Sequence, residues 1–222
     1  MKSIYAALFC AFICLAANNV QAQKTIKEGQ ITYAVEYDLP PDQQMAAAML
    51  PKEYTIYFKG DKSKFTIDMG MMKSVVLSDA KTMEGLVLMD VPAAGQKIAL
   101  KTTKADKEEQ QRQIGDQEIV KTSETKTISG YQAVKYTATD KKSGNVSEIW
   151  ATKDLIIPDN EFSQFYKTIE GTLLTFSTKM NGVSLMMNFK DIKQEAVPDI
   201  SLTVPEGYTV KTVDELKSMS GQ

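Results

Sequence analysis

The chain has no histidine, and its only two cysteines, Cys10 and Cys14, fall in an apolar stretch near the N-terminus. Without histidine there is no Ser-His-Asp triad, no imidazole-bound zinc and no ordinary imidazole acid–base chemistry. Residues 23–222 hold no thiol, so disulfides, thiolate metal sites and cysteine nucleophiles are excluded there as well. Arginine is nearly absent: Arg112 stands alone among 26 basic residues. A protein that grips phosphate or carboxylate in bidentate fashion would use several. Glycine-rich phosphate loops and calcium-loop spacing are missing. The 26 basic and 28 acidic residues are interspersed, which leaves no electrostatic footprint for nucleic acid.

What the N-terminus does have is a leader pattern. Lys2 supplies a positive start, Ile4 to Ala17 is almost unbroken apolar sequence, and Val20-Gln21-Ala22 matches a small-x-small cleavage site. Residues 1–22 are therefore expected to be a secretory signal peptide. The apolar run is short for a span of ~20 residues, and nothing later offers a second one, so no transmembrane segment is expected in the mature chain. Phe9 and Ile13 precede the cysteines where a lipoprotein signal needs a small residue, so no lipidation is expected. The expected location is periplasmic or secreted.

Alternation dominates the mature chain. Thr172 to Met180 and Val183 to Lys190 alternate apolar and polar residues around Asn181-Gly182, the strongest short-range hairpin signal. Leu174, Phe176, Met180, Val183, Leu185, Met187 and Phe189 share its oily face. Further strands are expected over Glu28 to Leu39, Tyr54 to Phe58, Lys64 to Met69, Lys73 to Ser78, Met83 to Asp90, Lys97 to Thr102, Ile119 to Lys126, Tyr131 to Asp140 and Val146 to Ala151. Short strands at regular spacing, with no βαβ alternation, predict a curved antiparallel half-barrel in a mainly β (α+β) domain.

Two or three short helices should cover it. Asp42 caps Gln43 to Leu50. Pro158-Asp159-Asn160 opens a stretch with Phe162, Phe165, Tyr166 and Ile169 at helical spacing, ended by Gly171. Thr212-Val213-Asp214-Glu215 is a capping box before Leu216 and Met219. Residues 103–118 form a polar insertion, a solvated loop or exposed helix, inside one domain spanning 23–222.

Asp68, Asp79, Asp90, Asp154, Asp159 and Glu170 could be gathered into catalytic pairs, but most lie at strand ends and turns, where aspartate is expected anyway. Asn145-Val146-Ser147 fits a glycosylation acceptor, a tripeptide common by chance. Methionine is the unusual residue, with 12 in the chain. Its adaptable side chain suits an apolar surface that accepts varied guests, and equally suits gap-filling in an ordinary core.

Four stretches carry a resemblance: Gly29-Gln30-Ile31-Thr32-Tyr33, Ile128-Ser129-Gly130-Tyr131 with Val134-Lys135-Tyr136, Ile149 to Leu155, and Val204-Pro205-Glu206-Gly207-Tyr208. In these the chain resembles a secreted Gram-negative family of unknown function related to the LolA/LolB/LppX-like lipid and lipoprotein carriers. The resemblance implies a half-open antiparallel barrel around an apolar cavity with helices at its mouth. It makes a non-enzymatic carrier for a lipid, acyl chain or other apolar ligand the leading expectation, with a lipoprotein acyl chain or an envelope protein as possible partner.

On that expectation Met45, Met49, Met69, Met89, Phe162, Phe165, Phe176, Met180, Met187 and Phe189 line the cavity. No catalytic residue, metal or cofactor is expected. The alternative is a packed structural or interaction module of the cell envelope with no small-molecule ligand.

Overall fold

The computed structural model describes residues 23–43, 50–114, 117–180 and 183–215. Strands account for most of it. The first, β1 (Lys24–Thr25), is followed by β2 (Glu28–Asp38), β3 (Glu53–Lys59), β4 (Lys62–Asp68), β5 (Lys73–Asp79), β6 (Glu84–Val91) and β7 (Gln96–Thr102). Helix α1 (Lys104–Ile114) precedes β8 (Gln117–Ile128), β9 (Tyr131–Asp140), β10 (Val146–Thr152) and β11 (Leu155–Ile156). The hairpin β12 (Thr172–Met180) and β13 (Val183–Lys193), then β14 (Thr209–Lys211), complete the set.

Twelve strands form one sheet in the order β14-β7-β6-β5-β4-β3-β2-β13-β12-β10-β9-β8, antiparallel throughout except for the β14–β7 pair. A separate parallel pair joins β1 to β11. The expected hairpin is present, with Met180 opposite Val183 and Phe176 opposite Met187. Its Asn181-Gly182 turn lies outside the described residues, as do residues 1–22, the centre of the expected helix from Gln43 to Leu50, and Leu216 and Met219.

The sheet is strongly curved but not closed. Phe65 of β4 and Phe176 of β12 sit four strands apart, which a flat sheet would separate by about 19 Å. Both rings nonetheless contact Phe162, at centroid distances of 5.3 and 5.9 Å. The architecture is thus the expected half-barrel. Its inner face carries the main core, which includes Ile31, Tyr33, Ile56, Phe65, Phe176 and Met187.

The outer face is polar over most of its width, but at β5 to β7 it is apolar. There Leu77, Leu86 and Ala99 are covered by Val197 and Ile200 from the segment after β13, making a second, smaller core. Glu28 and Lys59 hold the start of that strap: Glu28 Oε1 accepts from the Val197 amide at 2.8 Å, and Lys59 Nζ reaches Asp199 Oδ1 at 2.8 Å.

Candidate functional site

The inner face of the half-barrel is covered by residues 159–171. The sequence predicts an amphipathic α-helix here, and the structure has a single 3-10 turn, Ser163–Tyr166. Local hydrogen bonds open the segment as a helical turn and then close it tightly. The Asn160 side chain accepts from the amides of Phe162 and Ser163, the Ser163 hydroxyl accepts from the Asn160 amide, and the Ile169 amide donates to the Tyr166 carbonyl. The Asn160–Ser163 exchange is a capping box that opens a helical turn, and the three-residue return from the Ile169 amide to the Tyr166 carbonyl closes it before an α-helix runs on. The tight turns still deliver the expected stripe. Phe162, Tyr166 and Ile169 are buried and Phe165 is half-buried against the core.

The segment acts as an aromatic plug. Phe162 packs on Phe65 and Phe176, Tyr166 lies 6.0 Å from Phe176, and Tyr33 meets Phe176 edge-on at 5.5 Å. Edge-to-face contacts of this kind add to simple area burial. Gly171 ends the plug at φ +95°, and a Cβ there would stand 1.9 Å from the Thr152 carbonyl oxygen. Only glycine fits that return into β12.

Among the lining residues expected from sequence, Phe162, Phe176, Met187 and Phe189 meet in the main core, with Met69, Phe165 and Met180 half-buried at its margin. Met89 is half-buried on β6, opposite Ser74 and Ile98, and belongs to neither core. Met45 and Met49 lie outside the described residues. Sequence reasoning missed Tyr33, Tyr54 and Phe65 as inner-face aromatics, although each occupies the inward phase of an alternating strand.

With the plug seated, a pocket lined by Tyr33, Pro158, Asn160, Phe162, Leu173 and Phe176 has a volume of about 20 Å³, room for one water. A larger but shallow hollow of about 390 Å³ lies outside it, against Ile26, Gly60, Ile156 and Pro158.

The polar groups of the interior are donors rather than bases. Tyr33 donates to the Leu173 carbonyl and Tyr166 to the Ser177 carbonyl. Burial raises the pKa of Tyr33 well above the ordinary phenol value and pushes Tyr166 up to about 12. Tyr54 is raised by burial and by its hydrogen bond to Tyr37. The carboxylates that could have formed catalytic pairs serve turns and ion pairs instead. Asp68 and Asp79 accept turn amides, Asp154 accepts from the Gln132 amide, Asp159 from the Ser163 hydroxyl, Asp90 pairs with Lys97, and Glu170 with Lys153. Among the described residues no group of three or more acidic side chains could hold a metal ion, and no helix is long and apolar enough to cross a membrane.

Residues 42–168 match the profile of a domain of unknown function, DUF4412. The chain belongs to that family. The match begins between β2 and β3 and runs into the plug, so it takes in most of the half-barrel and part of its cover. No curated protein matches. Among solved structures the chain is similar to PNGF-II in two crystal forms. In the C2 form the TM-score is 0.50 at 19% identity, covering 87% of this chain and 32% of that one. In the P21 form it is 0.51 at 20%, covering 87% and 33%. The likeness is one of fold, and the chain spans about a third of the length of the PNGF-II chains.

Proposed function

We propose that this DUF4412 protein is a non-enzymatic binding or carrier protein of the cell envelope. It takes an acyl chain or similar apolar guest against the inner face of its sheet, in place of the aromatic plug. One observation carries the reading: the apolar inner face is covered by a short 3-10 segment outside the sheet, which buries Phe162, Tyr166 and Ile169. A guest's methylenes, at ~0.8 kcal/mol each, supply the same kind of contact that these side chains make. The pocket beside Phe162 and Phe176 has room for one water and not for an acyl chain, so on this reading the guest enters by displacing the plug. Half-buried Met69 and Met180 add adaptable side chains to the edge of the main core. The resemblance to LolA-like carriers and the leader pattern at residues 1–22 point the same way and to a periplasmic or secreted location.

The test is native mass spectrometry of the protein purified from its own envelope, followed by solvent extraction and lipid analysis, with uptake of a fluorescent fatty acid measured in parallel. A defined apolar adduct and saturable uptake are the expected results. A bare mass with no uptake would sink the proposal.

A second reading has its own support. The large buried core, and a fold that occupies about a third of the longer PNGF-II chain, suit a packed module that presents its surface to an envelope partner. That reading survives a bare mass.

A further inference from the structure

The polar helix α1 contains a feature that a purely solvated helix does not need. It is well started: Thr103 and Asp106 exchange hydrogen bonds as a capping box, with the Thr103 amide to Asp106 Oδ2 at 2.7 Å and the Asp106 amide to Thr103 Oγ1 at 3.2 Å. Its neighbours in the chain, β7 and β8, lie toward opposite ends of the sheet, so the helix sits in the connection between the two arms of the half-barrel. Among the described side chains of α1 the one that is buried is a lysine, Lys107, at 7% exposure. It is also the only charged residue buried anywhere among the described residues.

The sheet is shaped to receive it. Gly85 on β6 leaves a channel, because a Cβ there would stand 2.4 Å from Thr102 Oγ1 and 3.4 Å from Lys107 Cε. The ammonium emerges at the plug, with Nζ 2.9 Å from Glu161 Oε2 and 3.5 Å from Gln164 Oε1. A buried charge is strongly unfavourable unless paired, so Lys107 and Glu161 hold one another in position.

We propose that Lys107 is the catch of the plug. Helix α1 holds residues 159–171 against the inner face through the Lys107–Glu161 pair, and breaking the pair releases the plug and uncovers Phe65 and Phe176. As a control on guest entry this rests on the carrier reading; as a tie on the plug it does not.

Hydrogen exchange of the full protein tests it, with the Phe165 and Ile169 amides reporting the plug and the β12–β13 amides reporting the sheet. Lys107→Met keeps the stem and removes the charge; Glu161→Gln removes the charge from the other side and reads the same tie if Lys107→Met does not fold. Exchange of the plug amides is expected to accelerate on the order of tenfold or more, with sheet amides unchanged. Unchanged plug exchange, or equal acceleration throughout the sheet, overturns the proposal.

Titration of a fluorescent fatty acid into the same variants separates the two ideas. Faster plug exchange without uptake in any variant keeps the catch and removes the carrier. Uptake by the unsubstituted protein with unchanged plug exchange keeps the carrier and removes the catch.

Discussion

The buried hydroxyl of Tyr33 donates a hydrogen bond of 2.9 Å to the carbonyl oxygen of Leu173, 140 residues away in the chain. The bond reaches from β2 past β13 to β12, so it joins the opening strand to the hairpin beneath the plug. Tyr33→Phe removes the donor while keeping the ring against Phe176. The expected loss is about 1 kcal/mol in denaturant unfolding, the usual net value of one such bond.

Phe176 is fully buried and is touched by Tyr33, Phe162 and Tyr166. Phe176→Ala should cost about 3–5 kcal/mol of stability, because the cavity it leaves sits between sheet and plug. Equilibrium unfolding gives the value. A loss below about 1 kcal/mol would mean that the plug collapses into the space.

Gly171→Ala tests the end of the plug. Both the positive φ and the 1.9 Å approach to Thr152 oppose a side chain, so a loss of at least about 2 kcal/mol is expected. An unchanged melting temperature would show that the return into β12 tolerates another path.

Acid should loosen the strap on the outer face. The Asp199 carboxyl is held below its ordinary value chiefly by its hydrogen bond to Lys59. A depressed carboxylate contributes stability above its unfolded value and loses it as pH falls through the folded one. Stability should therefore be level near neutrality and decline below about pH 4. Asp199→Asn should flatten part of that decline in melting temperature against pH.

Alkali acts on the interior. Phenols raised by burial, as in Tyr33, Tyr54 and Tyr166, contribute stability below the unfolded value near 10 and lose it as pH rises toward the folded one, about 12 for Tyr166. Phenolate absorbance should show these tyrosines ionising late and together with unfolding, as judged by circular dichroism on the same samples.

Most strands were legible because one face of each is dry and the other wet, so residues such as Phe176 and Met187 alternate with Ser177 and Asn188 at a period of two. The short strands β1, β11 and β14 were not, since two or three residues carry no period. The plug's apolar stripe was legible at Phe162, Phe165, Tyr166 and Ile169, but its backbone was not. Helical spacing does not reveal that the turn opened by Asn160 and Ser163 closes with a three-residue bond from Ile169 to Tyr166. The strap was missed for a different reason: Leu77 and Leu86 read as ordinary strand residues, and nothing local says that Val197 and Ile200 will cover them.

By itself the sequence determined which chemistries are closed to residues 23–222, because a missing imidazole or thiol cannot be restored by folding. It also determined the antiparallel β class, because alternation is a local property of the chain. Only the tertiary structure decided that the inner face is filled by a plug, that one buried lysine from a polar helix reaches that plug, and that a second core lies on the back of the sheet. Each of these depends on residues far apart in the chain meeting across a curved surface, and that curvature is a property of the packed sheet.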